Sequence, residues 1–237
     1  MTSAPAMLTR LYHWFDRTER TMRRSFGRDI STPAGRRAAW WHYQVFDHAF
    51  LRTVWTNFFE IAPGVYRSNQ PTHARLRRYR DMGIRTVINL RGPGRYAHYL
   101  FERESCAALG LTMVDAELRA RHAVPAARIL EMLEAMRAAE RPFLFHCKSG
   151  ADRAGFAAAA YLMVFEGRSV AEARKQLGLR YIHLKSTKTG VQDYILDVYE
   201  ARQARGAIDF EAWIAEEYDN RAIQAGFDAR RPAHEVA

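Results

Sequence analysis

Apolar residues along the chain switch repeatedly between short continuous runs and a period of three to four, the pattern of strands alternating with helices. Short apolar runs fall at Val65-Tyr66-Arg67-Ser68, Ile84 to Arg91, Leu111-Thr112-Met113-Val114 and Phe143-Leu144-Phe145-His146. Helical patterns lie between them over about 72–82, 96–109 and 126–139, ended by Gly83, Gly110 and Pro142. Further helices are expected over about 154–166, 169–177, 191–204 and 208–218. Such alternation predicts an α/β domain with a central, largely parallel sheet flanked by helices. The run 84–91 is apolar almost without interruption at its end, which suits a central strand. In such sheets ligands sit beyond the carboxyl ends of the strands, where Cys147, Asp115 and Arg91 all fall.

Two helices are expected ahead of this domain. Residues 8–26 place Leu8, Leu11, Tyr12, Phe15, Met22 and Phe26 at helical spacing, with arginines largely elsewhere. Residues 36–58 carry Trp40, Trp41, Phe46, Phe50, Leu51, Trp55 and Phe58, side chains large enough to call for burial. The expected organisation is a basic, aromatic-rich helical extension over 1–60 that packs on the core, a domain over 61–220 and a flexible tail over 221–237.

The stretch from Phe143 to Gly155 carries the chemistry. An apolar strand ends in His146-Cys147, a polar loop of Lys148, Ser149, Gly150, Ala151 and Asp152 follows, and Arg153 opens a helix. Five residues between Cys147 and Arg153 let the loop curl until its backbone N–H groups converge at a helix N-terminus, an anion site. The planar fork of Arg153 can grip two oxygens of that anion. The same positive surroundings favour a thiolate, and a thiolate beneath a phosphate is a nucleophile aimed at phosphorus.

His146-Cys147-(five residues)-Arg153 resembles the signature of the protein tyrosine phosphatase superfamily, and its full wording resembles atypical dual-specificity members of bacterial and fungal type. The run from Gly64 to Gly92 is similar to the N-terminal half of those domains, so the resemblance covers about 61–200. It implies a cysteine-phosphatase fold and hydrolysis of phosphomonoesters through a phosphocysteine intermediate, without metal or organic cofactor. Cys147 is then the nucleophile, Arg153 binds the phosphoryl group, and His146 orients the loop. Phosphotyrosine or dual-specificity protein dephosphorylation is the expected activity. Phosphoinositide or inositol-phosphate hydrolysis is the alternative, and a weakly active module that binds a phosphorylated ligand is a third reading.

The leaving oxygen needs a proton from a carboxylic acid near the sulfur. Asp115 ends a strand 32 residues ahead of Cys147 and precedes an irregular segment expected to be mobile. That separation is similar to the general-acid position of dual-specificity phosphatases; Glu117 is the alternative on the same segment. Arg91, Arg121 and Lys188 are candidates for the substrate rim, with Arg95, Arg119, His122 and Lys185 behind them. Lys148 suits a polyanionic substrate, whereas Asp152 places an acid beside the phosphate. The resembled family usually carries Ser or Thr after its arginine to help the thiolate leave; Ala154 stands here, so slow phosphoenzyme breakdown is expected.

Composition narrows the partners. The formal charge is +10, and residues 1–40 hold eight arginines against three carboxylates, which favours acidic partners. Contact with an anionic membrane through 8–26 is one expectation; nucleic-acid binding would rest on charge alone, with no recognised module. Two cysteines form no disulfide framework, no apolar run has spanning length and no signal peptide is evident, so the cytoplasm is expected. A nucleotide-binding phosphate loop fails because Phe156 stands where its lysine is required.

Overall fold

The strand Phe143–Cys147 is buried at all five positions and lies at the middle of a five-stranded sheet. The computed structural model describes residues 27–237. In chain order its elements are α1 (Pro33–Val45), α2 (Leu51–Val54), β1 (Phe59–Ala62), β2 (Val65–Asn69), α3 (His73–Asp81), β3 (Thr86–Asn89), α4 (Ala97–Leu109), β4 (Thr112–Asp115), α5 (Ala126–Ala138), β5 (Phe143–Cys147), α6 (Asp152–Glu166), α7 (Val170–Ala173), α8 (Val191–Gln203), α9 (Phe210–Glu216) and α10 (Asn220–Asp228). The chain divides into two units, one formed by the N-terminal region to Val54 with Gly94–Glu104, the other by Trp55–Pro93 with Ser105–Ala237.

The larger unit holds the sheet, in the order β1-β2-β5-β3-β4. β2, β5, β3 and β4 run parallel, and β1 adds an antiparallel edge paired with β2. The largely parallel, helix-flanked sheet expected from the sequence is therefore present. Successive side chains of β5 face opposite ways. Phe143, Phe145 and Cys147 enter a core shared with Ile129, Met132 and Leu133 of α5, Phe156 of α6, Ile195 of α8 and Phe210 of α9. Leu144 enters a smaller cluster with Leu76 and Tyr79 of α3 and Cys106 of α4. Each fully buried aromatic or leucine stabilises the fold by about 1.5–3 kcal/mol. Ala157, Ala158, Ala159 and Ala160, successive residues that point to different sides of α6, are all fully buried, so this helix is enclosed by the core.

In the smaller unit, Thr32 caps α1 by accepting from the Gly35 N–H, and Arg36 pairs with Glu104 at 2.6 Å. His42 stacks on Tyr96, and Arg52 forms a buried pair with Asp47 at 2.7 Å.

Four expectations need correction or lie outside the description. The helix expected over 8–26 falls outside the described residues. The helix expected over 36–58 is broken: α1 stops at Val45, His48 and Asn57 adopt positive φ of 54° and 47°, and Phe59 begins a strand instead. Its aromatic residues are not buried as a group, since Trp41 is 60% and Phe50 54% exposed. The flexible tail expected over 221–237 begins instead with α10, capped by Asp219 and burying Ile223 and Gly226. Asp219 supplies the capping oxygen that starts a helix there.

Candidate active site

The carboxyl ends of the parallel strands meet in register: Asn69 pairs with Cys147, and Asn89 pairs with both His146 and Asp115. Cys147 thus ends the central strand at the carboxyl side of the sheet, its side chain buried, and the chain turns through four residues into α6.

That turn is shaped by what holds its carbonyl groups. The Gln70 N–H donates to the Lys148 carbonyl, Asn57 Nδ2 to the Ser149 carbonyl at 3.1 Å, and Arg67 Nη2 to the Gly150 carbonyl at 2.6 Å and the Ala151 carbonyl at 3.3 Å. A planar trans peptide points its C=O and N–H in opposite directions. With four successive carbonyls bound outside the turn, the N–H groups of Ser149, Gly150, Ala151 and Asp152 are directed to its inside, where α6 begins without a side-chain cap. Inward N–H groups at a helix start have the geometry of an anion cradle. Gly150 is required twice over: its φ is +74°, and a Cβ there would lie 2.7 Å from the Asn69 nitrogen and 2.8 Å from the Ser68 carbonyl carbon.

Among the described residues Arg67 is the largest fully buried side chain. Besides the cradle carbonyls it donates to the backbone and side-chain oxygens of Gln176, and its guanidinium lies 3.9 Å from the centre of the Tyr181 ring. Burial pulls its pKa down to about 10, against the attraction of Tyr181, Cys147 and Asp152, so it remains a cation at neutral pH. Asn57 is the second brace, since the same Nδ2 also donates to the Tyr181 carbonyl at 3.0 Å.

Arg153 lies in the first turn of α6, half-buried, and its Nε is buried without a hydrogen-bond partner. Among the described residues no carboxylate pairs with it. Asp152, one residue earlier, points to His183 instead of toward Arg153. His146 is fully buried, its Nδ1 3.4 Å from the Cys147 carbonyl. Ala154 is buried in the core and offers no hydroxyl; Ser149 is exposed, and its Oγ accepts from the Ala151 N–H at 3.4 Å.

Asp115 ends β4, exposed, and accepts from Asn89 Nδ2 at 2.8 Å. It stands two strands from His146, roughly 10 Å at twice the ordinary strand spacing. Glu117 is exposed as well and lies over Gly92, where a Cβ would meet its own Cβ at 2.7 Å. The segment after Asp115 is irregular as expected but is fastened along its length. Gln192 Nε2 donates to the Arg119 carbonyl at 2.9 Å, Gln224 Oε1 accepts from the Ala123 N–H at 2.8 Å, and the Tyr218 hydroxyl donates to the Val124 carbonyl at 2.8 Å. The expectation of a loose segment is corrected by these three side chains, all from beyond α7.

Of the rim candidates, Arg91 is half-buried and hydrogen-bonds Gln70, whose backbone holds the cradle. Arg121 and Lys188 are exposed, and no described contact joins them to the cradle. Arg119 and His122 instead line a cavity of about 370 Å³ with Arg221 and Gln224. Cys106 and Cys147 lie in the clusters on opposite faces of the sheet, and no disulfide joins them. Among the described residues no group of His, Cys, Asp or Glu is placed to hold a metal ion, and no helix is long and apolar enough to cross a membrane.

The sequence reading missed Arg67, Asn57 and His183. Each acts through contacts with residues far away in the chain, and no local pattern marks them.

With this geometry in hand, similarity to known proteins is specific. Residues 56–193 match the family model described as a Swiss Army Knife protein, DSP-PTPase phosphatase domain. The dual specificity protein phosphatase TpbA of Pseudomonas aeruginosa is 30% identical over 115 residues, which are 47% of this chain and 48% of that protein. The chain thus spans about half the length of the curated relatives it matches. A crystal structure of P. aeruginosa TpbA superposes with a TM-score of 0.51 at 23% identity, covering 63% of this chain and 90% of that one. A second TpbA structure, a variant in complex with phosphotyrosine, gives 0.50 at 20% identity over 64% and 97% of the two chains.

Proposed function

Since the chain belongs to the Swiss Army Knife family of dual-specificity and tyrosine phosphatase domains, we propose that it hydrolyses phosphomonoesters through a phosphocysteine intermediate formed on Cys147. The observation that carries this reading is the Arg153 side chain, which has no acceptor among the described residues and opens a helix beside a turn whose carbonyls are bound outside it. Such a site is built for an anion with several oxygens.

In the first step the Cys147 thiolate attacks phosphorus, the P–O bond to the substrate breaks, and Asp115 gives its proton to the leaving oxygen. In the second, water attacks the phosphocysteine, its proton returns to Asp115, and the S–P bond breaks to restore the thiolate and release inorganic phosphate. The inward N–H groups of residues 149–152 and the Arg153 fork meet the equatorial oxygens, where charge sits in a loose phosphoryl transition state. His146 positions the end of β5. Catalysis is assigned to a domain over 61–220, with 1–60 as an accessory extension; α10 adds to that domain because Gln224 holds the segment following Asp115.

Phosphotyrosine or dual-specificity protein substrates are the first choice, supported by the TpbA relative and by its complex with phosphotyrosine. Lys148 on the cradle and the exposed Arg121 and Lys188 favour a second reading, a polyanionic phosphoinositide or inositol phosphate. Two cysteines without a disulfide suit a reducing compartment such as the cytoplasm. Membrane contact through 8–26 is tested by sedimentation with anionic against neutral vesicles.

The experiment is vanadate-sensitive hydrolysis of an aryl phosphate by the parent and by Cys147→Ser, followed by a panel of phosphopeptides, phosphoinositides and inositol phosphates. Turnover lost in Cys147→Ser is expected. Phosphate binding without turnover in the parent would leave a ligand-binding module.

A further inference from the structure

Asp152 occupies a position where a negative charge should oppose a bound phosphate, immediately before Arg153 and at the start of α6. The structure answers this with a buried histidine. His183 Nδ1 lies 2.7 Å from Asp152 Oδ1, and Nε2 of the same ring lies 2.7 Å from Asp193 Oδ2 on α8. The His183 side chain is 1% exposed and that of Asp193 4%. An ionised carboxylate only accepts, so both ring nitrogens carry a hydrogen when both contacts are made, and the ring is an imidazolium. The ring is set in place by local strain: Ile182, a β-branched residue, sits at φ 58° at the end of a short 3-10 turn, and the His183 N–H donates back to the Gly178 carbonyl.

We propose that His183 is a positioning residue for phosphate binding: as a cation it turns the Asp152 carboxylate away from the anion cradle and ties the cradle to α8. This rests on reading the same loop as the phosphate site. The charges around His183 come from three elements. Asp152 on α6 and Asp193 on α8 bond the ring directly, and Arg67 on β2 attracts Asp152 from beneath the cradle. Burial opposes a charge on the ring, but the two hydrogen bonds prevail and push its pKa up to about 9, so the clamp is closed at neutral pH. If the ring were neutral or absent, Asp152 would present an uncompensated carboxylate next to Arg153, able to pair with that guanidinium and to repel a phosphate dianion.

The test is calorimetric binding of inorganic phosphate and vanadate to the full chain, which needs no turnover. His183→Gln should weaken binding about tenfold or more, the size of one like charge within several ångströms of the ligand. Adding Asp152→Asn should return affinity to within about threefold of the parent, because the charge that His183 compensates is gone. Equal weakness of the single and double variants, or undiminished binding by His183→Gln, overturns the inference. A purely structural role would make the two substitutions additive. Asp193→Asn leaves the imidazole in place and should move the alkaline loss of phosphate affinity to lower pH; an unmoved profile counts against the clamp. Nitrogen NMR of the parent at pH 8 should show both His183 ring nitrogens protonated, and a neutral ring refutes the proposal whatever the ligand does. A parent that binds neither anion refutes the phosphate-site reading itself.

Discussion

Arg67 Nη2 donates to the Gly150 carbonyl at 2.6 Å from a side chain with no solvent exposure, so the turn after Cys147 rests on a buried cation eighty-three residues away in sequence. Arg67→Met should leave the carbonyls of Gly150, Ala151 and Gln176 short of donors. Losing hydrogen bonds from a charged donor to buried acceptors costs about 1.5–3 kcal/mol each. Urea unfolding should show a loss of at least about 2 kcal/mol, with kcat/KM for an aryl phosphate down about a hundredfold. Arg67→Lys should recover stability better than activity, because a point charge cannot reproduce the fork.

Gly150→Ala tests the turn itself. Its Cβ would press on the Asn69 nitrogen and the Ser68 carbonyl carbon, both backbone atoms that cannot move aside, and its φ of +74° disfavours any side chain. A loss of about 1–3 kcal/mol in stability is expected together with weakened vanadate binding. Unchanged vanadate affinity would show that the turn does not form the anion site.

Stability should also depend on pH through His183. Its folded pKa of about 9 lies above the unfolded value of 6.5. A raised pKa contributes stability that is fully present below about pH 6.5 and is lost as pH rises through about 9. On the order of 3 kcal/mol is at stake. Thermal unfolding of the parent should weaken between pH 6.5 and 9.5, and His183→Gln should flatten that dependence. Parallel profiles for the two proteins would remove His183 from the account.

The segment following Asp115 supplies a separate prediction. Gln224→Ala and Tyr218→Phe each free one of its fastened backbone groups, the Ala123 N–H and the Val124 carbonyl. Both should lower kcat for substrates with poor leaving groups, roughly tenfold, a part of the roughly hundredfold or more that a positioned general acid supplies, while leaving phosphate affinity unchanged. Asp115→Asn should show the same selectivity more strongly. Loss confined to Glu117→Gln would move the acid to the alternative residue.

Legibility from sequence followed the range of each interaction. The strand, turn and helix start could be read because His146, Cys147, Gly150 and Arg153 lie within one short stretch of chain. The sheet could be read because β3, β4 and β5 are short apolar runs between helical patterns. Arg67 read as one more polar residue in a strand, since its partners at Gly150 and Gln176 are brought together only by folding. His183 sat in what looked like a basic loop for the same reason. The aromatic run 40–55 misled in the other direction: hydrophobicity called for burial, but breaks at His48 and Asn57 leave Trp40, Trp41 and Phe50 exposed. At 221–237 a short polar pattern hid a helix that its Asp219 cap and the buried Ile223 make stable.

Rapid acid quench during aryl phosphate turnover, with peptide mass analysis of the protein, addresses the chemistry most directly. Because Ala154 offers no hydroxyl to assist departure of sulfur, the phosphoenzyme should accumulate. The expected result is a burst of about one equivalent of aryl alcohol per protein, the signature of a covalent intermediate, with a phosphoryl group on the peptide containing Cys147. Turnover that persists in Cys147→Ser, or a phosphoryl group found on another residue, would contradict the assignment.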